Sequence, residues 1–282
     1  MTHIAYLGTG LLGGALAEAA AKRGDRVTVW NRTADKARAL EAFGAHAAAS
    51  PAEAVRGAVF IHLVLKDDAV VEEVVASLRP GLESSAIIID HTTTQPALTG
   101  ARALRLNAEG VRYLHCPVFI GPASARESQG TILVSGPLAL FDAVREHLTP
   151  MATRLEYFGE QPELAAVHKL CGNAYILGIN AVVADVFSIA AGAHVPPGDS
   201  LRVLEYFNPS SIIAGRGKNM LARNFAPGFE MAMARKDVRL MIETAGEHPL
   251  ATLPGIAARM DALIAEGHGA DDLAAMGKDA VG

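Results

Sequence analysis

The chain has 282 residues, half of them apolar, and a formal net charge of −5. That length allows one large or two medium domains, and the charge leaves no basic footprint for nucleic acid. Two cysteines, Cys116 and Cys171, do not make a disulfide framework and fit a reduced, cytoplasmic compartment.

The N-terminus has no basic segment followed by an apolar run and opens directly on a strand, His3 to Leu7. The ten histidines show no metal-ligand spacing, so no metal is expected. After the strand comes GTGLLGGALAEAAAKRG and then RVTVWNRT, which reads as strand, glycine turn, helix, strand. Gly8, Gly10 and Gly13 fit G-x-G-x-x-G. The first permits a tight turn, the second lets a pyrophosphate approach the backbone, and the third lets helix pack on strand. The free N–H groups of the opening helical turn, those of Leu11 and Leu12 among them, then face the phosphates.

The end of the second strand bears on the choice of cofactor. A site built for NAD places a carboxylate there for the ribose 2′-hydroxyl. This chain has Asn31, Arg32 and Thr33 instead. Arg32 can pair with a 2′-phosphate and stack on adenine, and Thr33 can add a hydrogen bond. The residues point to NADP(H); the alternative is that Arg32 is a solvated loop charge.

Alternation continues with a helix over 34–43, a strand over 45–48 and a helix over 50–55 capped by Ser50, with Pro51 at its first position. A buried strand over 59–65 follows; Lys66, Asp67 and Asp68 open the next helix, and a strand over 86–89 ends at Asp90. Apolar strands alternating with helices predict a doubly wound parallel sheet. Ligands bind beyond the carboxyl ends of such strands, so the turns at 63–67, with Leu65, and 90–96 border the cofactor. The threonines of DHTTTQP either cap a helix or hold the nicotinamide end. A strand over 113–118 follows, with His115 and Cys116 on opposite faces, which argues against a Cys–His nucleophile. TILVSG reads as an extension of the same sheet, followed by a helix over 138–148 and a last strand over 153–157.

The expected boundary falls near residue 160, giving domains 1–160 and 161–282. A long apolar helix over 162–194, uncharged from Leu170 to Ala184, is predicted to be central and buried on most sides. The uncharged run is short for a bilayer span and carries Asn173 and Asn180, so a membrane reading is rejected. Helical patterns over 200–207, 211–217, 229–245 and 253–266 complete an all-helical second half. Lys236, in RKDVRL, reads as a surface charge from spacing alone.

Taken in order, GTGLLGGALA, VTVWNRT, DHTTTQP, CPV, the GPASA to GTILVSG run, Lys169-x-x-x-Asn173 and RKDVRL resemble the 3-hydroxyacid dehydrogenase family. That family includes 3-hydroxyisobutyrate dehydrogenase and the glyoxylate/succinic semialdehyde reductases. The resemblance covers essentially the whole chain. It implies a Rossmann domain, a helical domain joined by the long helix, a homodimer or homotetramer, and a substrate cleft between domains. Lys169 then matches the catalytic lysine, Asn173 the substrate-placing asparagine, and Thr93 and Lys236 residues that contact or border the cofactor. Positions i and i+4 share a helix face, so Lys169 can protonate a carbonyl oxygen that Asn173 orients. The family carries Ser-Gly-Gly where this chain has Phe119, Ile120 and Gly121. The expected substrate wall is therefore more apolar, and the substrate larger or less charged than a short hydroxy acid. The expected activity is NADP(H)-dependent hydride transfer to a small aldehyde or keto acid, with imine reduction and a non-enzymatic NADPH-binding module as alternatives.

Overall fold

The computed structural model describes residues 1–281. The chain divides into two compact units, Met1–Asn173 and Ala174–Gly282.

The first unit is built on six parallel strands: β1 (His3–Leu7), β2 (Arg26–Trp30), β3 (His46–Ala47), β4 (Phe60–Leu63), β5 (Ile87–Asp90) and β6 (Arg112–His115). Their order is β3-β2-β1-β4-β5-β6, so the order reverses beside β1. The helices between them are α1 (Leu11–Lys22), α2 (Ala34–Arg38), α3 (Pro51–Ala54), α4 (Asp68–Leu78) and α5 (Pro96–Ala108). Alternate strand residues point to opposite faces, and each face has its own core. Ile4, Tyr6, Leu16, Val29 and Ile89 belong to one core, and Ala5, Leu7, Ile61, Val74 and Ile88 to the other. This is the expected doubly wound sheet, with helices covering both faces.

One expectation fails at the sheet edge. The chain beyond β6 does not extend the six-stranded sheet. It forms a separate sheet from β7 (Val118–Phe119), β8 (Thr131–Val134) and β9 (Arg154–Tyr157), with β7 antiparallel and β9 parallel to β8. The expected strand over 113–118 is broken at Cys116-Pro117, because proline has no N–H to donate to a ladder. Among the described residues, the β-bridge that links β6 to the residues after β8 is an isolated one, His115 with Ser135. Two more helices, α6 (Pro122–Arg126) and α7 (Leu138–Leu148), lie between its strands in sequence.

Helix α8 runs without interruption from Leu164 to Gly192. Ala165, Ala166 and Lys169 are buried, so its first turns belong with the first unit although the expected boundary fell before them. Its middle overturns the expectation of a helix buried on most sides. Tyr175, Ile176, Leu177 and Ile179 are all at least half exposed, and 11% of its most apolar stretch is buried. By length and apolarity alone this helix could cross a membrane. Its face is apolar, as the pattern says, but the single chain does not cover it.

The second unit continues with α9 (Pro197–Ser200), α10 (Pro209–Leu221), α11 (Met231–Ala245) and α12 (Leu253–Leu263); α11 and α12 share a core of Met231, Val238, Met260 and Leu263. It is helical, as expected, with α10 longer than the pattern over 211–217 because Asn208 caps it and Pro209 opens it. Gly192 lets α8 approach α11: a Cβ there would lie 2.0 Å from the Thr244 carbonyl oxygen.

Candidate active site

The glycine turn is shaped by contacts with the neighbouring backbone. Gly8 has φ of 96°, and a Cβ on it would lie 2.2 Å from the Val64 carbonyl oxygen. A Cβ on Gly13 would lie 1.9 Å from the Gly8 carbonyl oxygen. A Cβ on Gly10 would meet nothing within 4 Å. Two of the glycines are therefore required by protein packing, and the third leaves open space at the start of α1. That helix has no side-chain cap and no acidic residue in its first turn. Its N–H groups and positive end are free for a phosphate, which fits the pyrophosphate of a dinucleotide. Leu11 is exposed while Leu12 leans on the core, so their contribution here is the backbone N–H.

Asn31 has a different role from its neighbours. Its Oδ1 accepts from the Thr9 N–H at 3.0 Å and its Nδ2 donates to the Thr33 carbonyl at 3.0 Å. It ties the second strand's end to the glycine turn. Arg32 and Thr33 are exposed and line a groove of about 320 Å³ together with Gly8, Gly10, Leu65 and Lys36. The carboxylate next along the chain, Asp35, pairs with Arg38 and leaves Arg32 to the groove. Lys36 is a second cation on this wall that the sequence pattern missed. It stands one turn into α2, where a lysine reads as an ordinary solvated residue.

The threonines of DHTTTQP divide by burial. Thr92 accepts from the Leu65 N–H at 3.0 Å, and Thr94 bonds Thr99 at 2.6 Å and His115 at 3.3 Å. Both hold loops. Thr93, between them, is exposed and free to meet a ligand.

Lys169 is 9% exposed, and its Nζ lies 4.1 Å from the centre of the Phe119 ring. Burial lowers its pKa from the ordinary value of 10.5. Facing an aromatic ring partly compensates the ammonium for lost water. Phe119 also packs on α8 at Gly172, where a Cβ would lie 2.2 Å from the ring's Cζ. Lys169, Gly172 and Phe119 thus form one packed unit, with Asn173 half-buried one turn after the lysine. Ile120 leans on the core, and Gly121 is exposed at the start of α6. The Phe119–Gly172 contact was hidden in the sequence, because the two residues lie far apart in the chain.

Lys236 lies on α11 in the second unit, half exposed, with its Nζ 2.9 Å from Asp237. Cys116 is fully buried in the core, and burial pushes its thiol well above its ordinary pKa. That agrees with a packing role for Cys116, and Cys171 is likewise a free thiol.

Two family models match the chain. The NAD-binding domain of 6-phosphogluconate dehydrogenase matches residues 3–159, and the NAD-binding region of NADP-dependent 3-hydroxyisobutyrate dehydrogenase matches residues 165–278. The 3-sulfolactaldehyde reductase of Escherichia coli is 26% identical over 88% of this chain and 84% of its own. The NADPH-dependent reductive aminase of Aspergillus oryzae is 26% identical over 97% and 95%. An imine reductase structure from a Pseudomonas species shares the fold, with a TM-score of 0.88 at 22% identity over 98% of both chains. The glycine turn, the parallel sheet and both family matches agree: the chain belongs to the 3-hydroxyacid dehydrogenase family, of the 3-hydroxyisobutyrate dehydrogenase type, and is an NAD(P)-dependent oxidoreductase.

Proposed function

We propose that the protein is an NADP(H)-dependent reductase of a small carbonyl compound, an aldehyde or keto acid, with Lys169 as its proton donor. The observation that carries this reading is Lys169 itself, buried on α8 against an aromatic ring with a lowered pKa. When bound, the nicotinamide supplies the hydride. Lys169 holds a proton at Nζ and passes it to the carbonyl oxygen as negative charge builds there. Asn173, one turn away, donates a hydrogen bond that fixes that oxygen. Leu65 and Thr93 border the cofactor, and Lys236 is assigned a place at its edge by its sequence motif. Arg32, with Thr33 and Lys36 beside it, favours a 2′-phosphate, in keeping with the NADPH dependence in the name of the Aspergillus relative.

A second reading has its own observation. Phe119 makes the surface beside Lys169 apolar, which suits an uncharged imine. The relatives named for imine reduction and reductive amination support it. A panel of glyoxylate, succinic semialdehyde, apolar aldehydes and cyclic imines, each with NADPH and NADH, separates the readings. Turnover of carbonyls, lost in Lys169→Ala, is the expected outcome. Turnover confined to imines moves the protein to the second reading, and full activity of Lys169→Ala sinks the proton-donor role.

We further infer a homo-oligomer, dimer or tetramer, because the apolar middle of α8 is uncovered in the single chain.

A further inference from the structure

Arg102 is the largest side chain buried to less than 2% exposure. It sits in the middle of α5, where an arginine ordinarily faces water. Its guanidinium reaches three carboxylates. Nη2 donates to Asp68 at 2.5 Å and Nε to Glu72 at 2.9 Å, both on α4. Nη1 stands 3.8 Å from Asp90, at the end of β5, and 3.4 Å from the Tyr113 hydroxyl. That hydroxyl in turn donates to Asp90 at 2.5 Å. Asp90 is fully buried, so the cation and hydroxyl beside it offset much of its desolvation.

Two of these carboxylates lead onward to the loops that border the cofactor. The other oxygen of Asp68 accepts from the Gln95 N–H at 2.9 Å, which ties the start of α4 to the start of α5. The other oxygen of Asp90 accepts from the Thr92 N–H at 2.9 Å, and the Thr92 hydroxyl accepts from the Leu65 N–H at 3.0 Å. Both ties share Arg102. Between their ends on the 91–95 loop stands Thr93, exposed, with buried residues on either side of it from His91 to Thr94. A planar guanidinium with five donors in a fixed fork can hold such a set in one geometry; a lysine cannot.

We propose that Arg102 is a positioning residue for cofactor binding: through Asp68 and Asp90 it fixes the 64–67 and 91–95 loops against each other, and so sets where Leu65 and Thr93 meet the nicotinamide cofactor. It touches no ligand. It acts on both nicotinamide cofactors alike, because neither tie involves Arg32 or its wall of the groove.

The test measures dissociation constants for NADPH and NADH by nucleotide fluorescence, well below the melting temperature, and needs no substrate. The variants are Arg102→Met, Arg102→Lys and Asp68→Asn. Val144→Ala, a core truncation on α7 at a residue that takes part in neither tie, serves as a control for lost stability. The expected result for Arg102→Met is weaker binding of both cofactors by the same factor, about tenfold or more. Arg102→Lys recovers part of the loss, and Val144→Ala binds as the unaltered protein does. Should Arg102→Met fail to fold, Asp68→Asn, which cuts one tie at a partly exposed carboxylate, still weakens both cofactors equally. Three outcomes overturn the proposal. One is cofactor binding unchanged in Arg102→Met or, if that variant does not fold, in Asp68→Asn. Another is a loss that Val144→Ala reproduces at equal melting temperature. The last is a loss confined to NADPH, which would place Arg102 with the 2′-phosphate contacts.

Discussion

At the scale of single residues, two side chains carry separate and separable predictions. Arg32 is exposed on the groove wall with Asp35 occupied elsewhere. If it reads a 2′-phosphate through charge-assisted hydrogen bonds, Arg32→Ala raises the KM for NADPH by about ten- to a hundredfold and leaves that for NADH near its starting value. Equal effects on the two cofactors would remove the role. Lys169 predicts a pH profile. A proton donor works in its charged form, and burial has moved its pKa below 10.5. Reduction should therefore be fast at low pH and fall as pH rises through that lowered value. In Lys169→Arg the guanidinium stays charged, so a descending limb that persists in this variant would belong to some other group. Both residues were legible in the sequence, because each stands in a local motif: Arg32 at the end of a strand in WNRT, Lys169 one turn before Asn173. Arg102 was not legible. An arginine at a helix's middle reads as solvent-facing until the fold brings Asp68, Glu72 and Asp90 around it.

At the scale of elements, β4, the loop that follows β5, and α7 are joined by a row of imidazoles. His147 Nε2 lies 2.8 Å from His62 Nε2, His62 Nδ1 lies 2.8 Å from His91 Nε2, and His91 Nδ1 lies 2.6 Å from the Cys116 carbonyl. Tyr6 stacks on His62 and Phe60 on His147. With His91 donating to the carbonyl, His62 donating to His91 and His147 donating to His62, every shared nitrogen is satisfied in the neutral state. Burial holds all three pKa values below 6.5, that of His147 down to about 3, with Arg23 adding to the effect there. The folded chain thus refuses protons that the unfolded chain takes up below pH 6.5, so stability falls as pH falls through that value. Each such histidine contributes a slope of about 1.4 kcal/mol per pH unit. His147→Gln keeps an N–H for His62 and removes one titrating group. Urea unfolding between pH 6.5 and 4.5 should then show a slope shallower by about that amount, and identical slopes would show that His147 titrates alike in both states. The row was invisible in the sequence, since its members come from elements far apart in the chain. The strand–helix alternation around it was plain, because each element declares itself within a few residues. The fate of TILVSG was not: whether a strand joins one sheet or founds another depends on the Pro117 break and the partners it finds beyond.

At the scale of the whole molecule, the apolar periodicity of α8 was legible but its burial was not, since apolar residues specify that a face will be covered and not by what. Tyr175, Ile176, Leu177, Ile179 and Val182 stand between 47% and 69% exposed in one chain. An exposed apolar surface of this extent marks an association surface. Burying it against a second copy removes it from water at about 25 cal/mol for each square ångström covered, before the entropy of association is subtracted. Glutamates at Ile176 and Leu177 would place charges in such an interface, at a cost of several kcal/mol. Light scattering behind size exclusion, in buffer without detergent, should therefore give two or four chain masses for the unaltered protein. The double variant Ile176→Glu with Leu177→Glu should give one chain mass and retain its helical circular dichroism. An unaltered protein that elutes as a single chain, or that stays in solution only with detergent, would mean that something other than a second copy covers this helix.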